Sequence, residues 1–521
     1  MSRLKKFARS LLSGYVLLGT NIFYTLASVP LALHYLSKEE FGLWALVAQL
    51  GGYIQLIDFG MSSSVARILI DHKDDRRNGA YGSVIKSGAL VGLIQGVLIM
   101  AAGAVLSLLA GSLVGVPDSL QHEFIWLMTG QAIILGGSFA TRIFSNLLMA
   151  HQRLDISNYG AAAFFVINLV VMWVGFASGF GIYSLLGGVL VMTLGTAVVN
   201  IVGCVRLRCF PNRHEWGTIN RVRFRELFAF GSDIFIFSLG GQLINASQTI
   251  LLTRLFGLET AAVWNVCTRT YTVLTQIIFR LFDYSAPAFA EMMVRGEKAL
   301  LAQRFKQIVI LSLNLAVAAG AVFTLCNGPF IQLWTHGRIG WAPVNDLLLA
   351  VWLVICVAVH AHTGLVGQTK RLHFMRYLFF IEGMAFVGLT IAFHSFGGIT
   401  AMLIASIGCT CCFSLPYGLY RTHKYFELSW PEFARWHKPV ILLVLWLAPV
   451  GALVWWLIHG VSPVVQLAAG GGIFALWTLG AFLSIGLNPH LKAEMAGRAP
   501  MWARSILDRT ILHVKTNRTP D

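Results

Sequence analysis

Charge is scarce in this sequence. Asp, Glu, Lys and Arg together make up 12% of its 521 residues, about half of the roughly 25% usual in soluble domains. That shortage excludes the row of soluble domains that the length would otherwise suggest at about 150 residues each. Acidic residues are the scarcer sign, 23 against 39 Lys and Arg, which leaves a net charge of +16. Such an excess can mark a nucleic-acid binder. Here the basic residues sit in short segments between apolar runs, so no nucleic acid is expected. Hydrophobic residues reach 56% and mean hydropathy is +0.70. The chain reads as all-α and polytopic, with the lipid bilayer as its main solvent.

Other absences narrow the chemistry. There is no G-x-x-x-x-G-K-[ST] loop and no interhelical segment long enough for a nucleotide-binding domain, which excludes a single-chain ATP-driven pump. Eight cysteines occur, nearly all inside apolar runs, and none pairs with another in an outside loop. A disulfide framework is therefore not expected. Cys409 and Cys412 form a C-x-x-C in mid-span with no nearby His or carboxylate, which reads as packing. His360 and His362 fall on different helical faces and do not make a metal pair. No H-E-x-x-H, Ser-His-Asp set or carboxylate dyad stands out. Neither an enzyme nor a cofactor or metal is expected.

What the sequence has is apolar runs. A helix needs about 20 apolar residues to cross the hydrocarbon core. Fourteen runs qualify, near 12–36, 41–61, 84–111, 123–149, 159–178, 182–204, 228–253, 260–284, 307–330, 345–366, 377–396, 399–420, 439–459 and 463–487. With the N-terminus inside, 33 Lys and Arg fall on inner segments and only Lys38, Arg254 and Arg338 on outer loops. That asymmetry predicts both termini in the cytoplasm. The first run follows four basic residues but reads as an uncleaved helix rather than a signal peptide. The basic tail, 488–521, carries scattered apolar residues, and either an inner-leaflet helix or a disordered segment fits it.

Spans 2 and 8 resemble each other. Leu36 aligns with Leu255, Trp44 with Trp264, and Ile57-Asp58-Phe59 with Phe282-Asp283-Tyr284. Six helices separate them, an even number that preserves orientation, so a parallel repeat is predicted. The expected division is an N-terminal lobe 1–225 (spans 1–6), a C-terminal lobe 226–425 (spans 7–12), extra spans at 426–487 and the tail at 488–521.

Several spans carry polar stripes that cannot face lipid. On span 8, Asn265, Arg269, Thr272, Gln276, Arg280 and Asp283 follow helical spacing along one face. Span 1 has Asn21, Thr25 and Ser28; span 7 has Ser238, Gly241, Asn245 and Gln248; span 4 has Gln131, Ser138, Arg142 and Ser145. Arg269 lies nine residues into span 8, about 14 Å deep. An Arg near the bilayer centre costs about 2.5–3.5 kcal/mol on insertion scales. An anion-binding role or an ion pair with Asp233 or Glu382 would each account for it. Arg280 is placed to pair with Asp283 at i,i+3, and Lys86 reads as a snorkelling anchor. Asp58 and Asp283 end their spans and are expected to cap backbone amides, with ion coupling or gating as the alternative. Asp233 and Glu382 are candidates for the same coupling role.

Tyr35-Leu36-Ser37, Phe41-Gly42-Leu43-Trp44, Tyr53, Asp58-Phe59-Gly60 and Ser64-x-x-Arg67 resemble the polysaccharide transporter (Wzx-type O-antigen flippase) branch of the multidrug/oligosaccharidyl-lipid/polysaccharide exporter superfamily. The resemblance implies a two-lobed, V-shaped bundle with a cationic central cavity formed mainly by spans 1, 2, 7 and 8. It implies a cargo of undecaprenyl-pyrophosphate-linked oligosaccharide, an O-antigen, capsule or exopolysaccharide repeat unit, moved from the inner to the outer leaflet of the bacterial cytoplasmic membrane. Glycan polymerase and chain-length regulator proteins are the partners it implies. One departure stands out: the superfamily's lipid II flippases carry arginines on span 1, where this chain has Asn21, Thr25 and Ser28. That argues for a separate glycan pathway. A cation-coupled multidrug exporter of the same superfamily would favour acids over arginines in its cavity. A membrane glycosyltransferase or O-antigen polymerase would need a large outside loop, and none is present.

Overall fold

The computed structural model describes residues 3–487 apart from 60, 63–64, 66–67, 70–78, 152, 213, 219–238, 245 and 370–373. Among the described residues there are helices and no strands. Among the described residues, eleven helices are long and apolar enough to cross a membrane, and they coincide with predicted spans 1, 3–6 and 9–14. The protein is an all-α polytopic membrane protein.

Predicted spans 2, 7 and 8 fall outside those eleven, each for its own reason. Helix α1, Arg3–Tyr35, is followed by α2, Lys38–Ile54. Ser37 and Glu40 start α2 with a capping box: Glu40 N–H donates to Ser37 Oγ (3.1 Å) and Ser37 N–H to Glu40 Oε2 (2.8 Å). After 17 residues α2 tightens into a 3₁₀ turn, Gln55–Asp58, and ends on Phe59 in the left-handed region at φ 47°. Span 7 begins among residues outside those described and continues as α7, Ser247–Phe256. Span 8 breaks at Thr268 into α8, Leu258–Cys267, and α9, Arg269–Arg295. The stripe read as one continuous face is thus divided, with Asn265 on α8 and Arg269 to Asp283 on α9. Thr268, Thr270 and Thr272 crowd this break, and β-branched side chains lower helix propensity.

Packing divides the chain into two units. The first holds residues up to Val266 together with Arg376–Gly398. Its long helices are α1, α3 (Ala80–Val114), α4 (Gln121–Ala150), α5 (Leu154–Ala177), α6 (Tyr183–Arg206) and, for nearly all its length, a helix at Met375–Phe393. Lipid tails are as apolar as leucine, so helices in a bilayer associate through close contact at small residues. Gly92 and Gly96 of α3 supply that contact. A Cβ at Gly92 would lie 2.7 Å from the Phe139 carbonyl oxygen, and one at Gly96 2.6 Å from that of Gly136. Met61, Val65, Leu69, Tyr81, Ile143 and Leu147 form an apolar cluster near one end. Lys86 donates to the Gly217 carbonyl (2.9 Å) beside Trp216, so its ammonium reaches a loop at the helix start.

The second unit holds Cys267–Met375 and residues from Ile399 onward. It contains α9, α10 (Lys298–Trp334), α11 (Pro343–Gln368) and, beyond the Met375–Phe393 helix of the first unit (α12), α13 (Gly398–Cys412), α14 (Ser414–Phe426), α15 (Trp430–Trp436) and α16 (Lys438–Ile458). A last helix, Pro463–Gly486, includes two π-helical stretches, Ala468–Phe474 and Phe482–Gly486. Phe282, Phe289, Phe305, Leu365, Phe433 and Trp436 belong to its core.

Candidate functional site

In the first unit, the end of α2 is held by α3 and α4. Gln95 Nε2 of α3 donates to the carbonyls of Ile57 (3.2 Å) and Asp58 (2.8 Å). These bonds satisfy backbone groups that the 3₁₀ turn would otherwise leave open. Arg142 Nη1 of α4 donates to Asp58 Oδ1 (3.2 Å) and to Ser62 Oγ (2.8 Å), while the Ser62 hydroxyl donates to the same carboxylate oxygen. The guanidinium also lies over the Phe139 ring, 3.7 Å from its centroid. Asp58 therefore serves as counter-ion to a transmembrane arginine, which corrects the expectation of an amide cap. A small cavity lined by Ser62, Gln95, Phe139, Arg142 and Asn146 adjoins the pair. Both donors of Nη1 are used; the Nη2 and Nε hydrogens have no bond among the described residues. Arg142 can thus hold Asp58 and still present three N–H groups to a second acceptor.

In the second unit, α9 buries Ile278, Phe282 and Phe289 in the core and leaves Thr272, Gln276, Arg280 and Asp283 exposed. Those four positions form one stripe. Arg280 has no ion-pair partner among the described residues. The predicted Arg280–Asp283 pair is not formed, because Asp283 Oδ1 instead meets His360 Nε2 of α11 at 2.9 Å. Asp283, too, is bound to a side chain and not to backbone amides. Arg269 is half-buried at the first position of α9. Around the break above it, Asn327 Nδ2 donates to the Cys267 carbonyl (3.1 Å) and to Asp346 Oδ1 (2.7 Å), and Thr270 donates to Asn327 Oδ1. Trp341 Nε1 adds a bond to Asp346 (2.8 Å).

The remaining candidates are scattered. Asn21 and Thr25 are half-buried on α1. Gln248 is buried on α7, and Asn265 bonds to Thr249 Oγ1 (3.3 Å) and the Ala261 carbonyl (3.2 Å). Gln276 is exposed and Glu382 is 1% exposed. Asn245 and Asp233 lie outside the described residues, as does the basic tail. Sequence reasoning missed the Asn327–Asp346 cluster and the His360–Asp283 contact. An Asn two residues before Pro329 in an apolar run was a usable signal for the first. The second depends on the register of α11 against α9. Among the described residues no group of three or more His, Cys, Asp or Glu is placed to hold a metal.

The profile of the polysaccharide biosynthesis protein family matches residues 10–293. No curated protein is significantly similar in sequence. Solved structures share the fold. An inward-facing multidrug resistance MATE family transporter of the MOP superfamily superposes with a TM-score of 0.63 at 14% identity, covering 79% of this chain and 96% of that one. Lipid II flippase MurJ in an inward closed conformation gives 0.59 at 11% identity, covering 92% and 98%. A MOP superfamily transporter from Pyrococcus furiosus Vc1, titled for the reverse polarity of its binding pocket, gives 0.51 at 14%, covering 82% and 97%.

Proposed function

We propose that this chain, which belongs to the polysaccharide biosynthesis protein family, is a flippase for an anionic lipid-linked oligosaccharide. Its cargo is an undecaprenyl-pyrophosphate-linked repeat unit of O-antigen, capsule or exopolysaccharide, carried to the outer leaflet of the bacterial cytoplasmic membrane without covalent chemistry. The observation that carries this reading is the exposed stripe Thr272, Gln276, Arg280 and Asp283 on α9. Polar groups so placed are stable beside water and not beside hydrocarbon. The sugar and pyrophosphate pass along this wet face while the polyprenyl tail stays in lipid. The fold shared with lipid II flippase MurJ supports a lipid-linked cargo.

Alternating access moves the cargo between the repeat lobes at 1–225 and 226–425, of which the second shares its residues up to Val266 and Arg376–Gly398 with the first packing unit. Both termini are cytoplasmic, from the distribution of Lys and Arg. A membrane potential negative inside drives a dianion outward, with roughly 4–5 kcal/mol available per 100 mV for two charges. A coupling ion is not required by that energetics; Glu382 and Asp233 are where one would bind. Glycan polymerase and chain-length regulators are the partners this role calls for. A multidrug exporter shares the fold, but on the α9 stripe Arg280 has no ion-pair partner among the described residues while the acid, Asp283, is engaged by His360; cationic drugs would call for the opposite balance.

Lipid analysis of a deletion strain tests the reading. Lipid-linked oligosaccharide should accumulate on the inner leaflet, and the wild-type chain should restore surface glycan. Arg269→Ala and Arg280→Ala should each restore less than a tenth of it at normal membrane levels. Full restoration by both variants would remove the anion-binding face from the mechanism.

A further inference from the structure

Asp283 and His360 form a contact that the flippase reading has not yet used. A carboxylate only accepts, so the imidazole nitrogen facing it, Nε2, carries a hydrogen. Nδ1 is then the nitrogen that changes: a lone pair in the neutral ring, an N–H in the charged one. It has no bond among the described residues. The ring is fixed in place. It lies parallel to Phe279 with centroids 3.9 Å apart and 2° between planes, and edge-on to Phe282 at 5.6 Å. An aromatic face also favours a cation over a neutral ring. The His360 side chain is still 30% exposed, and Arg280 lies one turn from Asp283 on the exposed stripe.

Several other charged groups on the packed elements have partners of their own. On α10, Lys306 lies over Trp436 and Arg304 bonds to Gln307; on α14, Arg421 bonds to Tyr417 and Lys424 lies over Tyr420; on α11, His362 bonds to Thr422. His423 of α14 stacks on Trp430. Asp283 is the charged group that His360 meets among the described residues, and Arg280 stands one turn from Asp283 on α9.

We propose that His360 contacts the cargo directly: positioned by Asp283 and Phe279, its protonated ring donates Nδ1–H to a phosphate oxygen beside Arg280. The proposal rests on the flippase reading and gives it a titratable ligand. A charged imidazole offers this contact one donor and one positive charge that a neutral ring does not. The recognised chemistry is a phosphate oxyanion. The lipid-linked pyrophosphate and a phospholipid headgroup both present one, and we assign the site to the pyrophosphate.

The test uses purified full-length protein in detergent, with farnesyl pyrophosphate as probe. Its dissociation constant is measured at about pH 5.5 and about pH 8.0 for wild type and His360→Gln, which can still donate to Asp283 but cannot become charged. The probe's own titration affects both proteins alike, so the ratio of their constants is the quantity read. Wild type should bind about tenfold more tightly than the variant at the lower pH and equally at the higher, the difference expected for one charge-assisted bond. Asp283→Asn leaves the imidazole but withdraws its holder, and should reduce that pH effect to about threefold. A ratio that does not change with pH overturns the proposal, as does a wild-type profile in Asp283→Asn. Phosphatidylglycerol competing as well as farnesyl pyrophosphate would assign the site to headgroups and overturn the cargo assignment. Absence of probe binding to either protein at either pH would overturn this proposal and the anion-carrying function together; binding with a constant ratio would overturn only this proposal.

Discussion

Asp58 and Asp283 align when spans 2 and 8 are laid over each other in the sequence, yet they have different partners. Asp58 faces an arginine, whose charge is permanent, and both side chains are largely enclosed, 31% and 23% exposed. Asp283 faces a histidine, whose charge depends on pH, and is 43% exposed. Asp58 closes the turn that ends α2, whereas Asp283 sits midway along α9. The environment sets the role of each: one carboxylate neutralises a buried cation, the other orients a ring at the surface of its unit. Alignment in sequence does not carry equivalent chemistry when the partner comes from a different helix.

The comparison can be broken first at Arg142. Arg142→Ala leaves Asp58 partly enclosed with no counter-charge, and breaking a buried pair costs about 3–5 kcal/mol, less here because both groups are partly solvated. Membrane levels of the variant should fall severalfold, and surface glycan should fall more than tenfold. Unchanged levels and unchanged glycan would mean that the pair contributes nothing to fold or transport.

A middle effect separates the two aspartates. Asp58→Asn keeps an acceptor for Ser62 but leaves Arg142 uncompensated, so the thermal midpoint of the purified protein should drop by several degrees. Asp283→Asn should keep its midpoint within about one degree, because an exposed acceptor is easily replaced by water. Equal losses at both positions would restore the symmetry that the partners argue against.

The smallest effect belongs to Lys298–Glu427, an exposed pair at 2.6 Å that joins the start of α10 to the residue after α14. Its hydrogen bond and charge hold the Glu427 carboxyl below the usual range. A carboxyl lowered in the folded state contributes stability above its ordinary range, and that contribution disappears as pH falls through the lowered value. Solvent screens the pair, so Glu427→Gln should leave the midpoint at neutral pH unchanged within error. A drop as large as that of Asp58→Asn would show that exposure does not set the worth of these ion pairs.

Eleven spans were legible in the sequence because apolar length is a one-dimensional signal. Spans 2, 7 and 8 were also found as apolar runs, but the departures of 2 and 8 from regular helix were not. The end of α2 depends on Gln95, 37 residues away from Asp58, and the break at Thr268 on Asn327, 60 residues from Cys267. Periodicity assumes an unbroken helix and therefore joined Asn265 to Arg269 across that break. The positions from Thr272 to Asp283 lie within one helix, so the periodicity that places them on one face applies there. Their partners were not legible, because Arg280 and Asp283 satisfy i,i+3 spacing whether or not a histidine arrives from α11. Arg142 was singled out as an intramembrane cation. Nothing in its own span pointed to Asp58.

The backbone contacts at Gly92 and Gly96 have a mechanical consequence. Carbonyl oxygens of α4 sit where a methyl group would stand, so even alanine at either position would have to part α3 from α4. Gln95 rides on α3 and Arg142 on α4, and both hold the turn at 55–59. A single methyl group on that glycine face would therefore loosen Asp58 from one of its two holders.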